Sequence, residues 1–577
     1  MDTGMNHLEK INYPDPNFIR KETQVINDGW QFSFDRKAWQ SINVPYCPES
    51  KLSGIGHTDV IGQCFYKKTF YADIGKGRRV MLHFGAVDYR CEVYVNGRHI
   101  GSHVGGFTPF AFDVTDALIG TENELYVCVY DDELRDSPSG KQSYKRQSFG
   151  CFYTRTTGIW QSVWLEFVPG VRIKQIQFYP SVERSSVLTE IHTNGCEQCS
   201  IFVYYQDRKV GEYCGRVTYR AKFEILLSES HLWELGQGQL YDVIITFGDD
   251  TVYSYFGLRE IGYRGYDFVL NGRSVFQKLV LDQGYYPDGI YTAPSVQAMQ
   301  RDIDLALDLG FNGARLHQKV FDPRFLYLCD KSGYMVWGEF ASWGVDYSDL
   351  HFLGRFLQEW QEVLARDFNH PSIVTWCPLN EVWGRWEDAA ERRDVRFVEL
   401  VYDFTKAYDP TRPCVDASGG HHGRRTDCFD VHTYADAEEL RKYLKELDSS
   451  DILDIPLLYC AGEDLPYSKG LPVNVSEFGG ICFTQKDDAS EVGTVNEGAV
   501  ESEVAWGYGK GEQSADAFLA RYERLADILM DCRKLSGFCY TQLYDVEQEE
   551  NGLYYYDRHD KLSEEQKARM RAIHSRR

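Results

Sequence analysis

The sequence predicts a multidomain protein, two β-sandwiches followed by a closed (β/α)8 TIM barrel. Three observations carry this. At 577 residues the chain exceeds what one hydrophobic core organises, so two to four domains are expected. Its amino-terminal part alternates apolar and polar residues with period two, as half-buried strands do. After about residue 260 the pattern becomes short apolar runs followed by helical spacing, the rhythm of strand-helix units.

Taken in order, the first domain is expected over 1–168. Cys91, Val93 and Val95 share one face before an Asn96-Gly97 turn, and Leu125, Val127 and Val129 repeat the pattern. A second, smaller sandwich, immunoglobulin-like, is expected over 169–260, where "RIKQIQFYP", "SIFVYYQ", "VTYRAKFEILL" and "YDVIITFG" read as strands. The barrel takes 261–577. Its first helix places Val296, Met299, Ile303 and Leu307 on one face, with Pro294 near the start and Gly310 at the stop. Asp322-Pro323 opens the next helix and Gly333 closes it. "YMVWGEF", "SIVTWCPLNE", "PCVDAS", "CFDVHTY", "PVNVSEFG" and "SGFCYTQLY" supply further strands.

A net charge of -24 disfavours nucleic acid, whose phosphates need clustered Lys and Arg. The amino terminus lacks a basic end followed by an apolar core, and no run is long enough to cross a membrane, so a cytoplasmic location is expected. The cysteines are scattered through strand-like runs and read as reduced core thiols. Cys196 and Cys199 form a lone CxxC without a second pair or a βαβ context, which reads as an ordinary hairpin.

Two carboxylates stand where barrel strands end: Glu381 after "IVTWCPLN" and Glu477 after "PVNVS". Strand ends of that kind meet at the barrel mouth, where catalytic groups of such folds gather. Cleaving an acetal needs one carboxyl to protonate the leaving oxygen and another to attack or stabilise the anomeric carbon. Asn380, beside Glu381, is placed to hydrogen-bond the sugar hydroxyl next to the scissile centre. Trp343, Trp383 and Tyr540 are candidates to stack on a sugar ring. Glu339 reads either as a third site acid or as half of an ion pair. His421, His422, Asp427 and His432 could suggest a metal, but their spacing fits no standard ligand set, and no metal or other cofactor is expected.

"WCPLNE", "NVSEFGG", "NGARLHQKVFDPRFLYLCDKSGYMVWGE" and "NGLYYYDR" resemble the catalytic-domain motifs of glycoside hydrolase family 2, home of β-galactosidases, β-glucuronidases and β-mannosidases. "VYVNGRHIGSHVGGFTPFAFDVT" and "TTGIWQSVWLE" are similar to that family's jelly-roll sugar-binding domain. The resemblance covers about residues 25 to 560. It implies retaining chemistry without a metal, with Glu381 as acid/base, Glu477 as nucleophile, and Tyr434 near the nucleophile. His432 falls where the family often has Asn.

The departures bear on substrate. Many members read Arg-Thr-Ser-His-Tyr-Pro at the second barrel strand, where this chain has Arg315, Leu316, His317, Gln318, Lys319 and Val320. Glucuronidases hold the sugar carboxylate with an Asn-x-Lys clamp, and here that position reads Glu549-Glu550-Asn551. Phe152 replaces an Asp that relatives contribute to the pocket rim. Arg315, Lys319 and Gln318, with Asp282 at the end of the first barrel strand, complete the substrate-binding candidates. The expected function is a retaining exo-β-glycosidase for a terminal β-galacto-configured sugar, galacturonide or galactoside. A β-glucuronidase, a non-catalytic carbohydrate-binding protein and a metal-dependent hydrolase are the alternatives. The expected partner is a carbohydrate or glycoconjugate, with no nucleic acid or membrane, and homo-oligomer formation is left open.

Overall fold

The computed structural model describes residues 10–73, 75, 77–131, 137–382, 394–420, 422–450, 470–483, 493–495 and 505–577. Among them, the amino-terminal alternation becomes two facing antiparallel sheets. The smaller runs in the order Thr23–Val25, Val163–Pro169, Arg78–Phe84, Phe110–Asp113. The larger includes Gln63–Tyr71, Glu122–Tyr130 and Arg90–Val95 at its centre. Val127 pairs with Val93 and Leu125 with Val95. All four are fully buried against Val80, Leu82 and Phe84 of the opposite sheet, because alternate side chains of a strand share one face.

The second sandwich is built around one long strand, Ser186–Tyr205. Its first half pairs with Ile173–Ser181, its second half with Tyr241–Phe247, and Arg208–Leu226 pairs along its whole length. A register shift interrupts the pairing between His192 and Cys196. Cys196 and Cys199 both lie within this strand, not in a turn, and both thiols are free. Three residues apart on a strand, they point to opposite faces.

The carboxyl-terminal part folds around a parallel sheet in the order Ile373–Cys377, Met335–Glu339, Gly313–Leu316, Gln277–Asp282, Leu535–Thr541, Val473–Gly479, Phe429–Thr433. The gap between its edges is occupied by residues 413–418, bridged in parallel to Trp376 and Asn380 through Cys414 and Ser418. Strand, helix and strand alternate as the spacing predicts. Ser295 caps the helix Val296–Asp308 by accepting from the Ala298 amide, and Met299 and Ile303 are buried. Asp322 caps Pro323–Ser332, which ends at Gly333 with a left-handed φ of 64°. No helix among the described residues is long and apolar enough to cross a membrane.

A loop of the first sandwich reaches over the barrel mouth. The amides of Ser139 and Gly140 donate to the Trp343 carbonyl at 2.8 and 3.2 Å. Tyr153 Oη donates to Glu549 at 2.6 Å, and Trp506 Nε1 to the Gly150 carbonyl at 2.8 Å. These contacts wall one side of the space above the strand ends.

Candidate active site

The strand Val473–Gly479 is buried throughout, which carries Glu477 into the barrel mouth with its side chain 6% exposed. Glu477 Oε1 accepts from Arg315 Nη1 at 3.1 Å and lies 3.4 Å from His432 Nε2; Oε2 accepts from Tyr434 Oη at 2.5 Å. Burial, and the neighbouring Glu381, favour its neutral form. His432 and Arg315 outweigh them, and the carboxyl lies below its ordinary value of 4.5. Such a group is ionised at neutral pH.

Glu381 enters from the other side, beyond the end of Ile373–Cys377. Its backbone is left-handed, with φ of 39°, and its amide donates to the Ser418 carbonyl at 2.8 Å. A non-glycine residue in that region is strained, and strain of this kind gathers at functional sites. His432 Nδ1 sits 2.6 Å from Glu381 Oε1, so the imidazole bridges the two acids. Burial pushes the imidazole toward neutrality, but Glu477 and Glu381 raise its pKa above 6.5. One donor atom each from Glu381, His432 and Glu477 lies within 4.8 Å of the others.

Asn380 is 1% exposed; its Oδ1 accepts from Arg315 Nη2 at 3.0 Å, while Nδ2 has no hydrogen-bond partner among the described residues. The orphaned donor stands beside Glu381.

Two family models match the chain: the sugar-binding domain of glycosyl hydrolases family 2 over residues 21–169, and the TIM barrel domain of that family over residues 292–461. Together they cover more than half of it. The chain belongs to glycoside hydrolase family 2. A β-galactosidase of Thermoanaerobacter pseudethanolicus is 26% identical over 61% of the chain and 49% of the relative. The chain spans about half the length of the curated relatives it matches. Among solved structures, a β-galacturonidase from Eisenbergiella tayi superposes with a TM-score of 0.73 at 21% identity, covering 96% of this chain and 97% of that one. A β-D-glucuronidase of Dictyoglomus thermophilum gives 0.77 at 21% identity, covering 98% and 99%. These likenesses share the whole multidomain fold.

Within this family 2 site several expected substrate contacts are corrected. Arg315 has no exposed surface, and its guanidinium is consumed by Glu339 at 2.5 Å, Glu477, Asn380 and the Ser476 carbonyl at 2.7 Å. It supports the acids from below, and Glu339 is its ion-pair partner. Lys319 is buried and donates to the carbonyls of Gly284 and Tyr291, surrounded by the rings of Trp160, Tyr291 and Phe321. It holds the interface between sandwich and barrel. Gln318 accepts from the Trp343 amide at 3.1 Å and donates to Ser342 Oγ at 3.3 Å, so both ends of its amide are engaged. Asp282 accepts from Tyr544 Oη and the Gly284 amide, tying down its own strand end. Tyr540 is fully buried among Phe478, Phe518 and Tyr522, a core residue rather than a stacking surface.

Trp343 does reach the site. Its indole nitrogen donates to the Asn380 carbonyl at 3.0 Å, but Lys141 Nζ lies 4.1 Å from the ring centroid and Phe152 packs beside it, so it is a wall and not an open platform. Trp383 and His421 lie outside the described residues. The remaining histidine-loop residues do not converge: His422 pairs with Asp416, and Asp427 accepts from Tyr402 and the Cys414 amide.

Sequence reasoning missed Tyr508, stacked on Tyr434 with centroids 3.4 Å apart. It also missed Lys141, whose ammonium lies over the Trp343 ring. Neither stands at a barrel strand end, and no local pattern announces them.

Proposed function

We propose that this family 2 protein is a retaining exo-β-glycosidase that removes a terminal β-galacto-configured sugar, a galacturonide or a galactoside. The close approach of Glu381 and Glu477, with donor oxygens within 4.8 Å, supports it. Carboxyl groups about 5 to 5.5 Å apart suit double displacement, whereas inversion needs roughly 6.5 to 9.5 Å for an intervening water. Glu477, kept ionised, attacks the anomeric carbon while the bond to the leaving oxygen breaks and Glu381 delivers a proton to that oxygen. Glu381 then takes a proton from water, whose oxygen displaces Glu477 from the anomeric carbon. Tyr434 and Arg315 orient Glu477 for attack, and Asn380 Nδ2 donates to the adjacent sugar hydroxyl. The sandwich loop over the barrel mouth favours a pocket that admits a chain end.

The substrate reading rests on the clamp position. Glu549 stands there, accepting from Tyr153 at 2.6 Å and from Asn551 Nδ2 at 3.1 Å, and no lysine replaces it locally. A glucuronide held in the Asn-x-Lys manner would meet the neutral amide of Asn551 where the clamp has its cation, and the Glu549 carboxyl where it has its Asn.

The test is a panel of p-nitrophenyl β-glycosides. Glu477→Gln should abolish turnover, and Glu381→Gln should cripple it while azide restores the rate on an activated aryl glycoside, both with a cooperative thermal melt that shows the variant to be folded. Wild-type rates from either variant overturn the assignment. Glu381, His432 and Glu477 are also metal-donor types. Metal-dependent hydrolysis predicts inactivation by a chelator, and the double displacement predicts none.

A further inference from the structure

The cations near the acids are nearly all committed: Arg315 to Glu339 and Glu477, Lys319 to backbone carbonyls. Lys141 is different. The residue is 6% exposed, yet its ammonium makes no hydrogen bond or ion pair to a described residue. It lies 4.1 Å from the centre of the Trp343 ring, whose indole nitrogen is bonded to the Asn380 carbonyl, next to Glu381. The position is built. Tyr153 donates its amide to the Lys141 carbonyl at 2.8 Å, and the amides of Ser139 and Gly140 are held by Trp343. Gly140 has φ of 59° and lies so close to the Gln318 carbonyl that a Cβ would collide with it.

A lysine walled in on most sides, with no hydrogen-bond acceptor for its ammonium among the described residues, is placed to take an anionic partner. We propose that Lys141 is the cation that receives the C6 carboxylate of a terminal uronide, which makes the substrate a β-galacturonide rather than a neutral galactoside. The inference rests on the glycosidase reading and deepens it. Burial alone would favour neutral Lys141, but Cys151, Glu549, Glu477 and Glu381 outweigh it and keep the ammonium charged. The cation comes from the sugar-binding domain, whereas the Asn-x-Lys clamp comes from the barrel, so the lack of that clamp does not exclude an acidic sugar.

The experiment compares kcat/KM for p-nitrophenyl β-galacturonide and β-galactoside in the full-length protein and in Lys141→Met and Lys141→Arg. Losing one member of a buried charge pair should lower the uronide-to-neutral ratio by about thirtyfold or more in Lys141→Met, with partial recovery in Lys141→Arg. An unchanged ratio overturns the inference. If Lys141→Met does not fold, binding to Glu477→Gln decides: galacturonate should bind at least about tenfold more tightly than galactose, and equal affinities overturn the inference. A wild type that cleaves the galactoside but not the galacturonide defeats this inference and leaves the glycosidase reading intact. Inactivity on every glycoside defeats the glycosidase reading itself.

Discussion

His432 is where the family's usual Asn would sit, and the exchange changes the electrostatics of the pair. An Asn can bridge two carboxyls only as a neutral amide. The imidazole takes up a proton between them, and its pKa rises above 6.5 because Glu477 and Glu381 favour the cation more than burial opposes it. A raised histidine contributes stability that is fully present below about 6.5 and lost as pH rises through the folded value. His432→Asn should therefore lower the melting temperature more at pH 6 than at pH 9, read by thermal melts across that range. A difference that does not depend on pH contradicts a charged His432. Glu477 has the opposite sign: its pKa is depressed, so its contribution is present above about 4.5 and lost as pH falls through the folded value.

At the scale of the element, the loop over 137–155 couples the sandwich to the barrel. Its fit depends on Gly140, because only a residue without Cβ follows that left-handed turn against the Gln318 carbonyl. Gly140→Ala should displace the loop and Lys141 with it, costing about 1 to 3 kcal/mol of stability. Under the proposed chemistry it should also raise KM more than it lowers kcat. A variant with wild-type melting temperature and kinetics would show that the loop tolerates the displacement.

For the whole molecule, the two layers meet through buried acids as well as apolar side chains. Tyr89 of the sandwich donates at 2.6 Å to Glu359 on the barrel helix Leu350–Asp367. Burial raises Glu359 to about 8, so the folded state prefers it protonated. The sign follows from proton binding. Between the unfolded value near 4.5 and the folded value near 8 the native state holds the extra proton, and stability falls as pH climbs through that window. Glu359→Gln keeps an uncharged acceptor for Tyr89, so the variant should match the wild type near pH 5 and exceed it by roughly 2 kcal/mol or more at pH 9. Denaturant unfolding at the two pH values measures it, and equal stability at pH 9 would contradict a protonated Glu359.

Architecture and the two acids were legible in the sequence because each is announced locally. Period-two alternation with Asn-Gly punctuation marks the sandwiches, capped helical spacing marks the barrel, and a carboxylate following a buried apolar run marks Glu381 and Glu477. The neighbours of those acids were not legible. Arg315, Lys319, Gln318, Asp282 and Tyr540 occupy the strand ends where substrate contacts belong, yet each side chain is spent on a partner distant in sequence. Lys141 comes from another domain and meets Trp343 only when its loop lands on the barrel mouth. Strand and helix depend on spacing between near neighbours, which a sequence states directly. The direction in which a buried cation spends its hydrogen bonds depends on which acceptors the closed chain brings within reach, and only the tertiary structure decides that.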